Sequence, residues 1–104
     1  MHQTLFTSQA LKEFNQSELF DLVQKAQVYN ASHGITGMII YEQGVFTEVL
    51  EGEKEELEIL MNKILQDKRH HQIRVVRDIP VESRHYQEWL MGFYSGADDK
   101  LIKL

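Results

Sequence analysis

Glu48 is an acidic residue inside an apolar stretch, Val45–Leu50, that is rich in β-forming residues. In a strand, Glu48 would share one face with Phe46 and Leu50, and both faces of the stretch are largely apolar. A carboxyl group in that setting is either poorly solvated, with a raised pKa, or bound to a specific partner. The alternative is an edge position where the side chain reaches solvent, since acids are rarely buried without a partner. The residues alone leave both interpretations open.

Asn30 is a second polar residue on an apolar surface. The spacing of Leu19, Leu22, Val23 and Ala26 predicts one face of a helix, and Asn30 continues that face. A buried amide needs hydrogen-bond partners, so the pattern is compatible with a binding site. The residues alone favour an amide that ties down the loop after the helix, because asparagine is common at helix ends and turns.

Other kinds of chemistry find little support in the residues. The chain has no cysteine, which excludes thiolate catalysis, disulfides and cysteine metal sites. Among its five histidines, adjacent His70 and His71 would point in different directions, so we predict solvated or loop-anchoring histidines and no metal site. No serine lies in a G-x-S-x-G context, and no glycine-rich phosphate loop occurs. No second group converges on Glu48 as a general base, so we do not predict an enzyme.

Length and charge set the remaining limits. The chain has 104 residues, 42% hydrophobic and 26% charged, as expected of one globular domain. With 11 Lys+Arg against 16 Asp+Glu, its net charge of −5 argues against nucleic-acid binding. No apolar run approaches the roughly 20 residues that span a bilayer, so no membrane association is predicted. No signal peptide is visible at the N-terminus, and we predict a cytoplasmic protein.

The elements that must position Glu48 and Asn30 follow from hydrophobic periodicity. A capping box at Asn15 and Glu18 predicts the start of the first helix, and Gly34 predicts its end. The other predicted elements are strands at Thr4–Ser8, Ile35–Tyr41, Val45–Leu50, Ile73–Ile79 and Trp89–Tyr94, and a second helix from about Glu53 to Gln66. The order β-α-β-β-α-β-β predicts an α+β, ferredoxin-like sandwich, with two helices on one face of a mixed five-stranded sheet. We expect the domain to span residues 1–95, followed by a short tail at 96–104.

Three motifs in the chain resemble those of a known family. They are N-x-x-x-G-I-T-G from Asn30, F-x-x-x-L-E-G from Phe46 and D-x-R-H from Asp67. Together with Leu5–Ala10 and Trp89–Met91, they resemble the BLUF family of flavin-binding blue-light sensors. The resemblance implies the same ferredoxin-like fold, with FAD or another flavin inserted between the two helices.

The resemblance also implies which residues meet the cofactor. The positions are Phe6, Ser8, Asn30, Glu48, Lys63, Asp67, Trp89 and Met91. Asn30 matches the asparagine that hydrogen-bonds the polar edge of the flavin ring. Lys63 stands where an arginine often meets the cofactor, and Asp67 matches a frequent acid nearby. Trp89 and Met91 match the strand residues that shift as the light signal leaves the pocket.

Two departures from the family bear on function. The family uses a tyrosine on the first strand and a glutamine on the third, where this chain has Phe6 and Glu48. In family members, light moves an electron and a proton from tyrosine to flavin, and the glutamine amide rearranges. Phenylalanine has no phenolic proton, and a carboxyl group cannot exchange the donor and acceptor ends of an amide. We therefore expect the usual red-shifting photocycle to be absent.

Two hypotheses follow for the function. The first is an FAD-binding sensory domain without the standard light response, which acts through a partner effector protein and forms a homo-oligomer through its sheet. The second is a flavin-free interaction module in which Phe6 and Glu48 close the former pocket, a reading that divergence at Tyr29 and Lys63 also supports. The visible absorption of the purified protein distinguishes the two.

Overall fold

The computed structural model describes residues 1–87, 92–95 and 100–103. Its elements are β1 (His2–Ala10), α1 (Gln16–His33), β2 (Thr36–Glu42), β3 (Val45–Gly52), α2 (Lys54–Gln66), β4 (His70–Pro80), β5 (Gly92–Ser95) and β6 (Lys100–Lys103). Neither α1 nor α2 is long and apolar enough to cross a membrane. The predicted order of strands and helices is confirmed as far as β5.

The strands form one sheet in the order β4-β1-β3-β2-β5-β6. β2 and β5 run parallel, and the other neighbouring strands run antiparallel. Leu19 and Val23 of α1 and Leu57 of α2 share one core with the strand residues Phe6 and Leu50. Both helices therefore lie on the same face of the sheet, and the predicted ferredoxin-like sandwich is confirmed.

The described residues contain one strand more than predicted. β6 lies inside the predicted tail and pairs with β5, so within the described part of the chain the sheet has six strands where five were expected. β5 covers Gly92–Ser95, whereas the predicted last strand began at Trp89, and residues 88–91 lie outside the described part of the chain. The division into a domain at 1–95 and a tail at 96–104 stays a prediction.

The first helix has the predicted ends. The Asn15 side chain accepts a hydrogen bond from the Glu18 backbone N–H at 2.8 Å, and the Glu18 carboxylate accepts from the Asn15 N–H at 3.1 Å. At the other end, Gly34 adopts φ 65°, a left-handed conformation that costs glycine little, and its N–H donates to the Asn30 carbonyl. These two caps fix where α1 begins and ends, and so fix the position of Asn30.

A tight hairpin sets the register of the third strand. Gln43 and Gly44 have φ values of 51° and 79°, as a two-residue type I′ turn requires. The register places Glu48 opposite Ile39 on β2 and opposite Phe6 on β1. Because β3 lies between β1 and β2, Glu48 is on a central strand. The alternative of an edge position is therefore excluded.

Candidate functional site

A cavity of about 250 Å³ lies between α1 and α2, above β1, β2 and β3. Its walls are mostly apolar, with Phe14, Leu22, Val23, Ile39, Phe46 and Leu60 among the residues that form them. Five of the predicted site residues line it, namely Ser8, Asn30, Glu48, Lys63 and Asp67. The fold thus brings together residues from two helices and two strands that lie far apart in the sequence.

The other predicted site residues are placed differently. Phe6 is fully buried in the core and is not among the residues that line the cavity, although it lies opposite Glu48 across β1 and β3. Trp89 and Met91 lie outside the described residues. Phe6 is therefore a core residue next to Glu48 in the sheet and not part of the cavity wall.

Glu48 is the most unusual group in the cavity wall. Its neighbours on the same face of β3, Phe46 and Leu50, are both buried, and its own side chain keeps only partial exposure. In the described part of the chain, no hydrogen bond or ion pair involves its carboxyl group. Burial raises the pKa of Glu48 to about 8. At pH 7 the group is mostly a neutral acid, which can both donate and accept a hydrogen bond.

The raised pKa predicts how stability changes with pH. The unfolded chain loses the Glu48 proton near the ordinary value of 4.5, whereas the folded domain keeps it until about pH 8. The free energy of unfolding should therefore fall as pH rises between these values, by at most about 1.4 kcal/mol per pH unit. Urea unfolding at several pH values would measure this slope, and Glu48→Gln should remove this part of it. An equal slope in both proteins would contradict a buried neutral Glu48.

The end of α1 contributes Asn30 and Tyr29 to the cavity. Asn30 is 1% exposed, and its backbone carbonyl accepts the Ile35 N–H at 3.0 Å, so the backbone contributes to fastening the following loop. The Tyr29 ring stacks on His33 with centroids 4.0 Å apart, and the Lys63 ammonium lies 4.6 Å from the Tyr29 ring centroid. Lys63 thus joins α2 to α1 by a cation–π contact beside the cavity.

Asp67 follows α2 at the rim of the cavity. It forms an ion pair with Arg69, with Nη2 and Oδ2 2.6 Å apart, and Arg69 Nε donates to its Oδ1 at 3.0 Å. The side-chain hydrogen bond from Arg69 is the main reason why the pKa of Asp67 falls to about 2. Asp67 is therefore ionised, and Arg69 balances its charge within the domain.

His70 also lines the cavity, although we did not predict it as a site residue. Its Nε2 lies 2.8 Å from the Ile64 carbonyl, and its Nδ1 lies 2.8 Å from the Ser8 hydroxyl. Because a carbonyl only accepts, Nε2 carries a hydrogen, and in the neutral ring Nδ1 accepts from Ser8. His70 therefore fastens the end of α2 to β1, in line with an anchoring role. Among the described residues, no group of three or more histidine and acidic side chains could hold a metal ion.

A family model described as "Sensors of blue-light using FAD" matches residues 1–92 of the chain. The chain belongs to the BLUF family. The photoactivated adenylate cyclase subunit beta of Euglena longa is 34% identical over 87 residues, which are 83% of this BLUF chain and 10% of that protein. The BLUF chain thus spans only about a tenth of the length of this curated relative.

Solved structures share the BLUF fold. The structure of a bacterial light-regulated adenylyl cyclase is 26% identical with a TM-score of 0.90, covering 95% of this chain and 29% of that one. The structure of Klebsiella pneumoniae BlrP1 with FMN and cyclic diGMP is 28% identical with a TM-score of 0.84, covering 90% of this chain and 25% of that one. The family fold is therefore present over nearly the whole chain.

The BLUF cavity of this chain fits a flavin by its chemistry. Apolar walls on two facing helices suit a flat aromatic ring system, and the few polar groups suit the ring's polar edge. Asn30 offers an amide, and Glu48 offers a neutral carboxyl group without a protein partner in the described chain. Because the described residues leave this carboxyl group without a hydrogen bond, a ligand in the cavity could complete its hydrogen bonding.

Proposed function

We propose that this BLUF domain binds FAD in the cavity between α1 and α2 and acts as a sensory and signalling domain. The observation that carries the proposal is the convergence of Asn30 and Glu48, which no other described residue hydrogen-bonds through its carboxyl group, on a mostly apolar cavity. Asn30 would hydrogen-bond the polar edge of the ring, as its counterpart does in the family. Lys63 and Asp67 would lie along the same ligand, since both line the cavity.

The bound flavin would supply absorption of blue light and the capacity to accept an electron. The chain's own residues would respond differently from those of a standard member. Phe6 has no phenolic proton to give, and Glu48 has no amide to rearrange. We therefore propose that the domain lacks the usual tyrosine–glutamine photocycle.

Output would pass to a partner effector protein, and we propose a homo-oligomeric sensor without an activity of its own. The relatives named above are a photoactivated adenylate cyclase and a light-regulated adenylyl cyclase, which supports an effector as the recipient of the signal. The Ser8–His70 pair does not argue for catalysis, because Ser8 is 1% exposed and both ring nitrogens of His70 are engaged. A cytoplasmic location stays a prediction from the sequence.

The second candidate function is a flavin-free interaction module. It is favoured by Phe6, which fills the core beneath the cavity and offers no polar atom to a ligand. It would leave the Glu48 carboxyl group in the cavity with water as its partner. Freshly purified protein would then be colourless and would take up no added FAD.

Absorption and FAD titration distinguish the two candidates. We expect a flavin spectrum in the purified protein, or its recovery when the protein is mixed with FAD. Asn30→Ala should weaken FAD binding about tenfold, the effect of one buried hydrogen bond to the ligand. Asn62→Ala on the exposed surface of α2 is the matched control and should bind FAD as the unaltered domain does. Colourless protein that binds no FAD would refute the flavin site.

A further inference from the structure

We propose that Glu48 makes the cavity a proton-linked binding site, in which the neutral acid donates a hydrogen bond to an acceptor atom of the flavin ring. The inference rests on the proposed function, because the flavin is the ligand that the acid would meet. Glu48 would then determine which edge of a ligand the cavity accepts, and the affinity for the flavin would depend on pH.

The strands on either side of β3 leave Glu48 without a counter-charge. Its neighbours in the sheet are Phe6 on β1 and Ile39 on β2, which are 0% and 5% exposed. Neither side chain has a polar atom that could donate to a carboxylate or hold its charge. The sheet surface around Glu48 therefore favours the neutral acid.

The cations that α1 and α2 present to the cavity are already engaged. Lys25 forms an ion pair with Asp21, with Nζ and Oδ2 3.1 Å apart. Lys63 lies over the Tyr29 ring, 4.6 Å from its centroid. The pKa of Glu48 is raised by burial, and no charge–charge effect from either lysine opposes the rise.

The charged and titratable groups in the segment after α2 also have partners within the domain. Asp67 and Arg69 form an ion pair 2.6 Å apart at the rim. His70 is held between the Ser8 hydroxyl and the Ile64 carbonyl, each 2.8 Å away. None of these charged or titratable groups, all among the described residues that line the cavity, forms a hydrogen bond with the Glu48 carboxyl group. The hydrogen bonds of this group are therefore open to a ligand.

The neutral and the ionised form of the Glu48 side chain favour different ligand atoms, hydrogen-bond acceptors and donors respectively. The acid carries one O–H donor, whereas the carboxylate carries only acceptors. A flavin ring presents carbonyl oxygens and ring nitrogens that accept hydrogen bonds, and a carboxylate pressed against them without intervening water would be repelled. Because a bound ring also displaces water from the carboxyl group, binding retains the proton and raises the pKa of Glu48 further.

FAD titrations between pH 7 and pH 9 test the proton linkage. With a pKa of about 8 in the free domain, roughly one-tenth of the molecules keep the acid form at pH 9, so the dissociation constant should rise about tenfold from pH 7 to pH 9. Glu48→Gln, which always has a donor, should bind FAD with the same affinity across that range. Glu58→Gln on the exposed surface of α2 should behave as the unaltered domain does.

A direct titration of the ¹³C-labelled Glu48 carboxyl group, with and without FAD, supports the test without a variant. The expected result is a pKa that rises when FAD binds.

Equal affinity at pH 7 and pH 9 would overturn the linkage while leaving the flavin site intact. A tenfold weakening that persists in Glu48→Gln would assign the effect to another group and also overturn it. Affinity that increases with pH would show that the carboxylate is the bound form, and no FAD binding at pH 7 would remove the flavin site itself.

Discussion

Replacing Glu51 by alanine is expected to lower the free energy of unfolding by about 3–5 kcal/mol, because three hydrogen-bond donors around its buried carboxyl group would lose their acceptor. Glu51 is 0% exposed, and its carboxylate accepts three hydrogen bonds. The donors are the backbone N–H groups of His85 and Tyr86, at 2.7 and 2.8 Å, and the Gln3 side chain at 2.9 Å. Alanine would leave all three donors without this acceptor.

The position of Glu51 explains why the loss should spread beyond one residue. The chain leaves β4 at one edge of the sheet and reaches β5 beyond β2, so it must pass β1, β3 and β2. Glu51 holds this crossing at β3, and Arg84 adds hydrogen bonds to the Gly34 carbonyl, the Thr36 hydroxyl and the Glu51 carbonyl. The cluster thus fixes the segment that leads to β5, and its loss should speed hydrogen exchange in β5 as well as at His85 and Tyr86.

Urea unfolding with matched variants isolates the effect. Glu51→Gln keeps a carbonyl oxygen for the backbone donors and should lose less stability than Glu51→Ala. Glu58→Ala, on the exposed surface of α2, should change the free energy of unfolding by less than about 0.5 kcal/mol. If the free energy of unfolding of Glu51→Ala lies within about 1 kcal/mol of that of the unaltered domain, these hydrogen bonds do not hold the crossing segment.

The contrast between Glu48 and Glu51 shows what a sequence pattern can and cannot reveal. Glu48 stands out because the alternation of β3 places it with Phe46 and Leu50, which is a local signal. Glu51 lies beyond the predicted end of that strand, and its partners are more than 30 residues away along the chain. An acid next to Gly52 carries no local sign that a distant loop will cover it.

The elements that local chemistry specifies were predictable, and those that depend on distant pairing were not. The capping box at Asn15 and the stop at Gly34 are contacts within one turn of helix, and the structure confirms both. The strand Lys100–Lys103 is short and half cationic, so only its pairing with β5 reveals it. Within the site, the apolar stripe predicted Asn30, whereas the placement of Phe6 opposite Glu48 required the register of the sheet.

The double variant Phe6→Tyr/Glu48→Gln is expected to give the FAD-loaded domain a reversible red shift of its flavin absorption under blue light. The unaltered domain should show none. Phe6 and Glu48 face each other across β1 and β3, so the two new side chains would be neighbours on the sheet beneath the ligand. The change supplies both a phenol that can give up an electron and a proton and an amide that can rearrange, as in other members of the family.

The single variants and one relocated phenol show whether position matters. Phe6→Tyr alone lacks the amide and Glu48→Gln alone lacks the phenol, so neither should give the full shift. Phe46→Tyr/Glu48→Gln places the phenol in the cavity wall, on the same strand as Glu48, instead of at position 6 on β1. If this relocated phenol works as well as Tyr at position 6, the pairing across β1 and β3 is not what the response requires. A reversible shift in the unaltered domain would instead show that Phe6 and Glu48 do not prevent the photocycle.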